Sequence, residues 1–388
     1  MSAPPRVFIL AGEPSGDKLG GALMAGLKAL SPGVTFEGIG GAQMQAEGLH
    51  SLFDMAELSV MGLAEILPKY FHLKRRIAET AQAVIAMRPD VLITIDSPDF
   101  SLRVAKLVKA RSNIRTVHYV APSVWAWRSG RAAKMARHVD QVLALLPFEP
   151  PYMEAAGMRC DFVGHPVVSE PVASDAEAAA FRAAHGLGAA PILLVLPGSR
   201  GSEIARLGAP FGQSVARMVA ARPEVRIVVP AAAPVAGAVK DLVAGWPGDP
   251  VVLDPREGSY AEAMTLKRAA FRAADVALAA SGTVSLELAA AGTPMVIAYD
   301  MAPLSRAIIS RMVRVDTVTL VNLVAESRTV PEFIGKRCRA DLIAPAILRV
   351  LEAPDAQHAA MALTMQRLGQ GGEAPGLRAA RAVLDGFL

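Results

Sequence analysis

A chain of 388 residues exceeds what one hydrophobic core usually organises, so two domains are expected. Hydrophobic residues make up 52% with a mean hydropathy of +0.34, yet no uncharged apolar run reaches the roughly 18 residues of a membrane-spanning helix. A net charge of +4 and a pI near 9.1 are too mild and too evenly mixed for a nucleic-acid binder, and suit an anionic lipid surface better. Cys160 and Cys338 stand apart with no CxxC spacing, the seven histidines are scattered, and no DxD or HxxxH appears. Neither a disulfide framework nor a metal site nor any other cofactor is expected.

The N-terminus, MSAPPRVFILAGEPSGD, carries one Arg and a short apolar run that enters an acidic, Gly-containing loop. It reads as a first strand rather than a secretory signal, which implies a cytoplasmic protein. Further strands are expected in TFEGIGG, DVLITID, RTVHYVAP and QVLALLPF, then in PILLVLPGS, VRIVVPA, DVALAAS and PMVIAYD. Continuous apolar strands alternating with Ala/Leu-rich helical stretches imply parallel sheets covered on both faces. The pattern restarts after residue 170, so the fold class is α/β with two doubly wound Rossmann-like domains. The stretch from Pro166 to about Ala190 has no strand character and is the expected connection. In such sheets ligands lie beyond the carboxyl ends of the strands, so the loops after strands are where chemistry is sought.

In the first such loop, Ser15, Gly16 and Asp17 of GEPSGDKLGG mark a helix start that either holds an acceptor phosphate or merely makes a tight turn. Residues 58 to 77 combine Met61, Leu67, Tyr70 and Phe71 with Lys74, Arg75 and Arg76. That mixture describes a membrane-surface or acyl-chain contact, or else a buried helix with a solvated charged end. In ITIDSPDFSL, Asp96 stands directly at a strand end, where a partly desolvated carboxylate suits a general base. Asp99, just after Pro98, reads as the cap of the next helix. His118 and the tryptophans Trp125 and Trp127 of SVWAWRSGR follow a strand and are core packing or cleft residues. His165 in FVGHP reads as structural.

In the second half, LPGSRGSEI places Arg200 in a Gly-containing loop as a fixed cation for a leaving diphosphate. In ASGTVSLELAAAGTP, Ser281, Gly282 and Thr283 precede a helix whose free amides favour a phosphate. Glu287 lies on the same helical face as Thr283, placed for ribose hydroxyls, and Gly292 and Pro294 stop the helix. Neither loop is a Walker A or a GxGxxG, which leaves a nucleoside diphosphate sugar as the expected ligand.

Taken together and in order, AGEPSGD, VMGLAEIL, IDSPDF, HYVAPSVWAWR, LPFEPPYM, FVGHP, LPGSRGSEI and ASGTVSLELAAAGTPMV resemble the bacterial lipid-A-disaccharide synthase family over nearly the whole chain. The resemblance implies a GT-B fold, with the two domains facing a central cleft. It also implies inverting transfer of diacylglucosamine from UDP-2,3-diacylglucosamine to 2,3-diacylglucosamine 1-phosphate. The expected products are the β-1,6-linked lipid A disaccharide 1-phosphate and UDP. The family's candidate base falls on Asp96. Its UDP-side positions fall on Ser199, Arg200, Ser281, Gly282, Thr283 and Glu287, with Asn322 at a polar cleft position.

The implied division is residues 1–168 for acceptor and membrane, residues 169–365 for the UDP-sugar, and residues 366–388 packing back on the first domain or on a partner. A homodimer and a peripheral place on the inner face of the inner membrane belong to the same expectation. Where relatives usually read LPN, then AGR and later a Gln, this chain has Val321 before Asn322, Glu326 and Ser327 after Ala325, and Gly335. A UDP-sugar epimerase on the same architecture and a non-enzymatic sugar-binding protein are the competing readings.

Overall fold

The computed structural model describes residues 4–58, 63–125, 130–302 and 315–387, with the backbone alone for the helical residues 63–69. The chain divides into two compact units, Met1–Ser169 with Leu368–Leu388, and Glu170–Arg367.

The first unit holds a parallel sheet of strands β1 (Arg6–Ala11), β2 (Thr35–Ile39), β3 (His50–Ser51), β4 (Val91–Ile95), β5 (Arg115–Tyr119), β6 (Gln141–Ala144) and β7 (Arg159–Phe162). Their order is β3-β2-β1-β4-β5-β6-β7. The second unit holds β8 (Ile192–Leu196), β9 (Arg226–Pro230), β10 (Val251–Leu253), β11 (Val276–Ala279), β12 (Met295–Tyr299) and β13 (Glu332–Ile334) in the order β10-β9-β8-β11-β12-β13. Both are doubly wound. Chain direction across the sheet reverses between β1 and β4 in one unit and between β8 and β11 in the other, and these are the switch points where the connections part to opposite faces and leave room for a ligand.

The central strands are apolar along their whole length because helices cover both faces. Every residue of VLITI in β4 and of ILLVL in β8 is buried. The covering helices show the complementary spacing: Ile204, Leu207, Phe211, Val215 and Met218 of Gly201–Ala221 recur every three or four residues and pack on Leu193, Val195, Ile227 and Val229. Truncating Phe211 to Ala in that layer would cost about 3–5 kcal/mol.

The nine sequence-expected strands are present. Those not expected, β3, β7, β10 and β13, are the sheet edges: short, two to four residues long, and partly exposed. An edge strand has no need of a continuous apolar run, so no hydrophobic signal announces it. The presumed connection is also more structured than its composition suggests. Asp175–Ala184 is a helix closed by a Ser174/Glu177 capping box, and Arg272 Nη2 meets Asp175 Oδ1 at 2.6 Å.

The terminal helix Pro375–Asp385 packs on the Pro14–Leu30 helix, burying Ala379, Ala380 and Val383 against Leu19, Leu23 and Leu27. Two glycines allow the backbones to touch. A Cβ on Gly376 would lie 2.5 Å from the Ala22 carbonyl oxygen, and one on Gly26 would lie 2.7 Å from the Gly376 oxygen. Arg115 Nη1 and Gln141 Nε2 then donate to the Val383 and Ala382 carbonyls at 2.8 and 3.0 Å, closing the helix end. Gly376→Val is expected to destabilise the protein by about 1–3 kcal/mol through overpacking. Calorimetry should show a melting temperature several degrees lower, while Gly245→Val, which meets no atom within 4 Å, stays at the native value. Equal melting temperatures for both variants would contradict the close helix approach.

Candidate active site

Beyond β1, the Pro14–Leu30 helix begins with an exposed Ser15 and a buried Gly16, whose Cβ position lies 3.3 Å from Ala11 Cβ and 3.5 Å from Ile95 Cγ2. Asp17 is buried and accepts hydrogen bonds from the Gly41, Gln43 and Met44 amides at 2.7, 2.9 and 3.1 Å. Its carboxylate therefore satisfies the open amides at the start of the Ala42–Ala46 helix, so Asp17 itself holds the turn, one of the two roles the sequence left open. Ser15 is the side chain of this trio that reaches solvent.

Beyond β4, Asp96 and Ser97 both take left-handed backbone conformations, φ 45° and 42°, and just past neighbouring β5 Val120 has φ 84°. Each such non-glycine residue costs roughly 1–2 kcal/mol, so the surrounding structure holds this turn against its own preference. The Asp96 amide donates to the Tyr119 carbonyl at 3.0 Å, which fastens the turn to β5. Burial pushes the Asp96 carboxyl up from the ordinary carboxylate range, partly offset by the Ser97 amide. Asp99 does not cap the next helix as expected. Ser97 occupies the cap position, and exposed Asp99 lies in the first turn, where its charge complements the helix dipole.

His118 is 2% exposed, and its Nδ1 lies 2.7 Å from Thr94 Oγ1. Burial pushes its pKa down to about 4, so it is a neutral interior side chain rather than a proton carrier. His165 Nδ1 accepts from the Val167 amide at 3.2 Å and its pKa is likewise pushed down to about 4, in keeping with a structural residue. Trp125 packs edge-to-face on Phe148 at 5.2 Å; Trp127 lies outside the described residues.

Glu149, in the LPFEPPYM turn after β6, escaped the sequence reading. It is buried, accepts from the Leu146 amide at 3.0 Å, and burial pushes its pKa up to about 7. The buried Trp125 indole N–H closes no hydrogen bond of normal length but lies near enough to the carboxylate to favour its charged form. The available signal was a single acid in an otherwise apolar, proline-flanked loop after a strand.

In the second unit the loops after β8 and β11 run side by side, tied by the Ala280 amide to the Leu196 carbonyl at 2.9 Å. Gly282, at φ 151°, turns the chain into the Val284–Ala291 helix, with Gly282 and Thr283 exposed and Ser281 half-buried. Gly292 ends that helix in the left-handed region, as the sequence indicated. Glu287 is part-exposed, and Lys267 Nζ meets its Oε2 at 2.5 Å. Lys267 also borders an apolar recess lined by Pro230, Ala231, Leu253, Pro255 and Met264.

The loop after β8 has an internal tenant. Glu203 folds back so that its Oε2 accepts from the Ser199 and Arg200 amides at 2.8 and 3.3 Å. Gly198, at φ 121°, makes room, since a Cβ there would sit 2.6 Å from Glu203 Cβ. The amides are thus taken, while the Arg200 side chain, 78% exposed, reaches out as the loop's cation with its Nη1 3.3 Å from Glu203 Oε1.

Asn322 is buried; its Nδ2 donates to Thr317 Oγ1 and the Val330 carbonyl, and its Oδ1 accepts from the Val330 amide. The side chain staples its own loop instead of presenting polar atoms to a ligand, a departure from the expected role. Glu326 has φ 54° and ends the Leu320–Ala325 helix in the left-handed region, a conformation that favours glycine.

On the Leu63–Met87 helix, Phe71 is 77% exposed and Tyr70 stands edge-on to it at 5.6 Å, with Lys74 and Arg75 exposed nearby. Arg76 differs. Its guanidinium grips both oxygens of Glu57 at 2.8 and 2.9 Å and lies over the Phe53 ring at 4.4 Å, so it serves the unit's own packing. Met61 and the Leu67 side chain lie outside the described residues. Among the described residues no helix is long and apolar enough to cross a membrane.

Two parallel, doubly wound units, each with its turns gathered at a switch point, define a protein of the GT-B fold class. Solved structures with this fold include the putative UDP-N-acetylglucosamine 2-epimerase of Listeria monocytogenes, at 13% identity and a TM-score of 0.64, covering 100% of this chain and 96% of that one. The UDP-GlcNAc 2-epimerase of Neisseria meningitidis gives 12% identity and a TM-score of 0.61, with 98% of each chain covered. A sequence profile described as Lipid-A-disaccharide synthetase matches residues 7–374. The chain is 67% identical over 380 residues to the lipid-A-disaccharide synthase of Ruegeria pomeroyi, covering 98% of this chain and 95% of that protein. The corresponding protein of Paramagnetospirillum magneticum is 47% identical over 389 residues, with 98% and 97% covered. The chain belongs to the lipid-A-disaccharide synthase family and is a glycosyltransferase.

The buried acid gives a stability signature. Because the folded Glu149 pKa, about 7, lies above its ordinary 4.5, the protonated acid favours folding below pH 4.5 and that contribution is lost as the pH rises through 7. Glu149→Gln is expected to remove a pH-dependent difference of about 2–3 kcal/mol across that window. Urea unfolding of both proteins from pH 5 to 8 should give curves that diverge with pH; parallel curves would count against a buried acid.

Proposed function

We propose that the chain joins UDP-2,3-diacylglucosamine to 2,3-diacylglucosamine 1-phosphate, with Asp96 as the general base. The acceptor 6-hydroxyl oxygen bonds to the donor anomeric carbon on the face opposite the leaving group. The bond from that carbon to the diphosphate breaks, UDP departs with the electron pair, and the hydroxyl proton passes to Asp96. The observation that carries this is the half-buried, proton-hungry carboxylate held in a strained turn at the switch point of the first unit.

In the second unit, Arg200 with its outward guanidinium and the open Ser281–Thr283 turn suit a diphosphate, and Glu287 suits the ribose. Ser199 and Asn322 act as loop supports in this reading. Purified protein should release UDP from the acylated donor only when the acylated acceptor is present. Asp96→Ala should retain donor binding by calorimetry while kcat falls by roughly 10²–10⁴. Unchanged turnover would remove Asp96 from this role. Turnover of a plain UDP-sugar alone would favour epimerase chemistry, to which the fold likeness also extends.

Tyr70, Phe71, Lys74 and Arg75 form the membrane-contacting face, on a protein placed at the cytoplasmic side of the inner membrane. Replacing Lys74 and Arg75 with Gln should weaken sedimentation with anionic vesicles by roughly thirtyfold, at about 1 kcal/mol per cation. Arg76→Gln should instead lower thermal stability by loosening Glu57 and Phe53. Undiminished vesicle binding by the double variant, in salt-matched buffer, would move the membrane face elsewhere.

A further inference from the structure

The turns after β1 and β4 meet at one point. Gly12 is buried, and a Cβ built on it would stand 2.8 Å from Ser97 Oγ and 3.1 Å from Ser97 Cβ, with Leu58 Cδ1 on another side at 3.7 Å. Gly12 has no positive φ to explain its identity, so it is the missing side chain that matters at this position. The Ser97 side chain occupies the space a Cβ would need. Asp96 and Ser97 are the consecutive left-handed residues of this turn, an arrangement that relaxes unless it is held on several sides. Two other sides are visible: the Asp96 amide is bound to the Tyr119 carbonyl, and the Ser97 carbonyl accepts from the Phe100 and Ser101 amides at 3.0 and 2.9 Å. The remaining side is the fit of Ser97 against Gly12.

We propose that Gly12 and Ser97 form a steric lock between the two switch-point turns and act as positioning residues that set the location of the Asp96 carboxylate. The inference rests on Asp96 being the base. A base misplaced by a fraction of an ångström to one ångström loses proton-transfer geometry while donor binding, on the other sheet, is untouched. Gly12→Ala drives a methyl group into the space of Ser97 Oγ and Cβ. Ser97→Gly removes both atoms and tolerates the left-handed backbone, so the second substitution should relieve the first.

The test is a double-mutant cycle on the full chain with acylated donor and acceptor. Gly12→Ala should lower kcat by roughly tenfold or more, with the KM for donor within about twofold of native. In the Ser97→Gly background the same Gly12→Ala change should cost less than about twofold in kcat. Equal losses in both backgrounds, no loss in either, or a loss expressed in donor KM alone would overturn the lock. If Gly12→Ala alone does not fold, it must fold when combined with Ser97→Gly; failure to fold in both backgrounds also overturns it. Asp96→Ala separates the underlying reading. Retained turnover there would dismiss the base, whereas coupling between positions 12 and 97, read by thermal unfolding as well as kcat, stands or falls independently.

Discussion

Everything distinctive in this protein hangs on two parallel pairings, β1 with β4 and β8 with β11. A parallel sheet must send its connections over both faces to bury them, and the chain has to reverse its course across the sheet once. At that reversal the two following helices leave for opposite faces of the sheet, so the carboxyl ends of two central strands stay open towards solvent between their adjacent turns. GEPSG and IDSPD meet at one reversal, LPGSRG and SGT at the other. Residues separated by 84 or 83 positions become neighbours because their strands pair.

The two reversals use their side chains differently. In the first unit, carboxylates divide by burial: Asp17 is committed to three backbone amides, Glu149 is kept near neutrality by its apolar turn, and Asp96 retains enough exposure to exchange a proton. In the second unit, Glu203 occupies amides that a diphosphate would otherwise reach, and Arg200 becomes the outward group. Charge complementarity alone does not separate these cases. Solvent access does, since an acid with its lone pairs already filled by amides has little left to offer a ligand.

The strain around Asp96 fits this division. Residues 96 and 97 give up favourable backbone geometry, and Val120, a β-branched residue at φ 84°, does the same just past the end of the next strand. Neighbouring hydrogen bonds and close packing hold them there. Such a turn is rigid where Asp96 sits, while Phe71 and Tyr70 lie exposed on a helix of the same unit.

The sequence by itself determined the two-unit parallel α/β class, the central strands, the SGT helix start with its Gly292 stop, and the family, because buried strands and tight turns constrain residue type directly. The motifs also placed Asp96 at a strand end, where the structure has it. What only the tertiary structure decided is which polar groups are free. Asp17 and Asn322 look like site residues in a motif yet are consumed by amides 24 to 27 and 8 positions away respectively. Arg76 looks like part of a lipid-facing cluster yet pairs with Glu57. The edge strands were invisible because half-exposed pairing leaves no hydrophobic signature. The contact of Gly12 with Ser97 is set by strand pairing across 85 residues, a distance at which local pattern carries no information about packing.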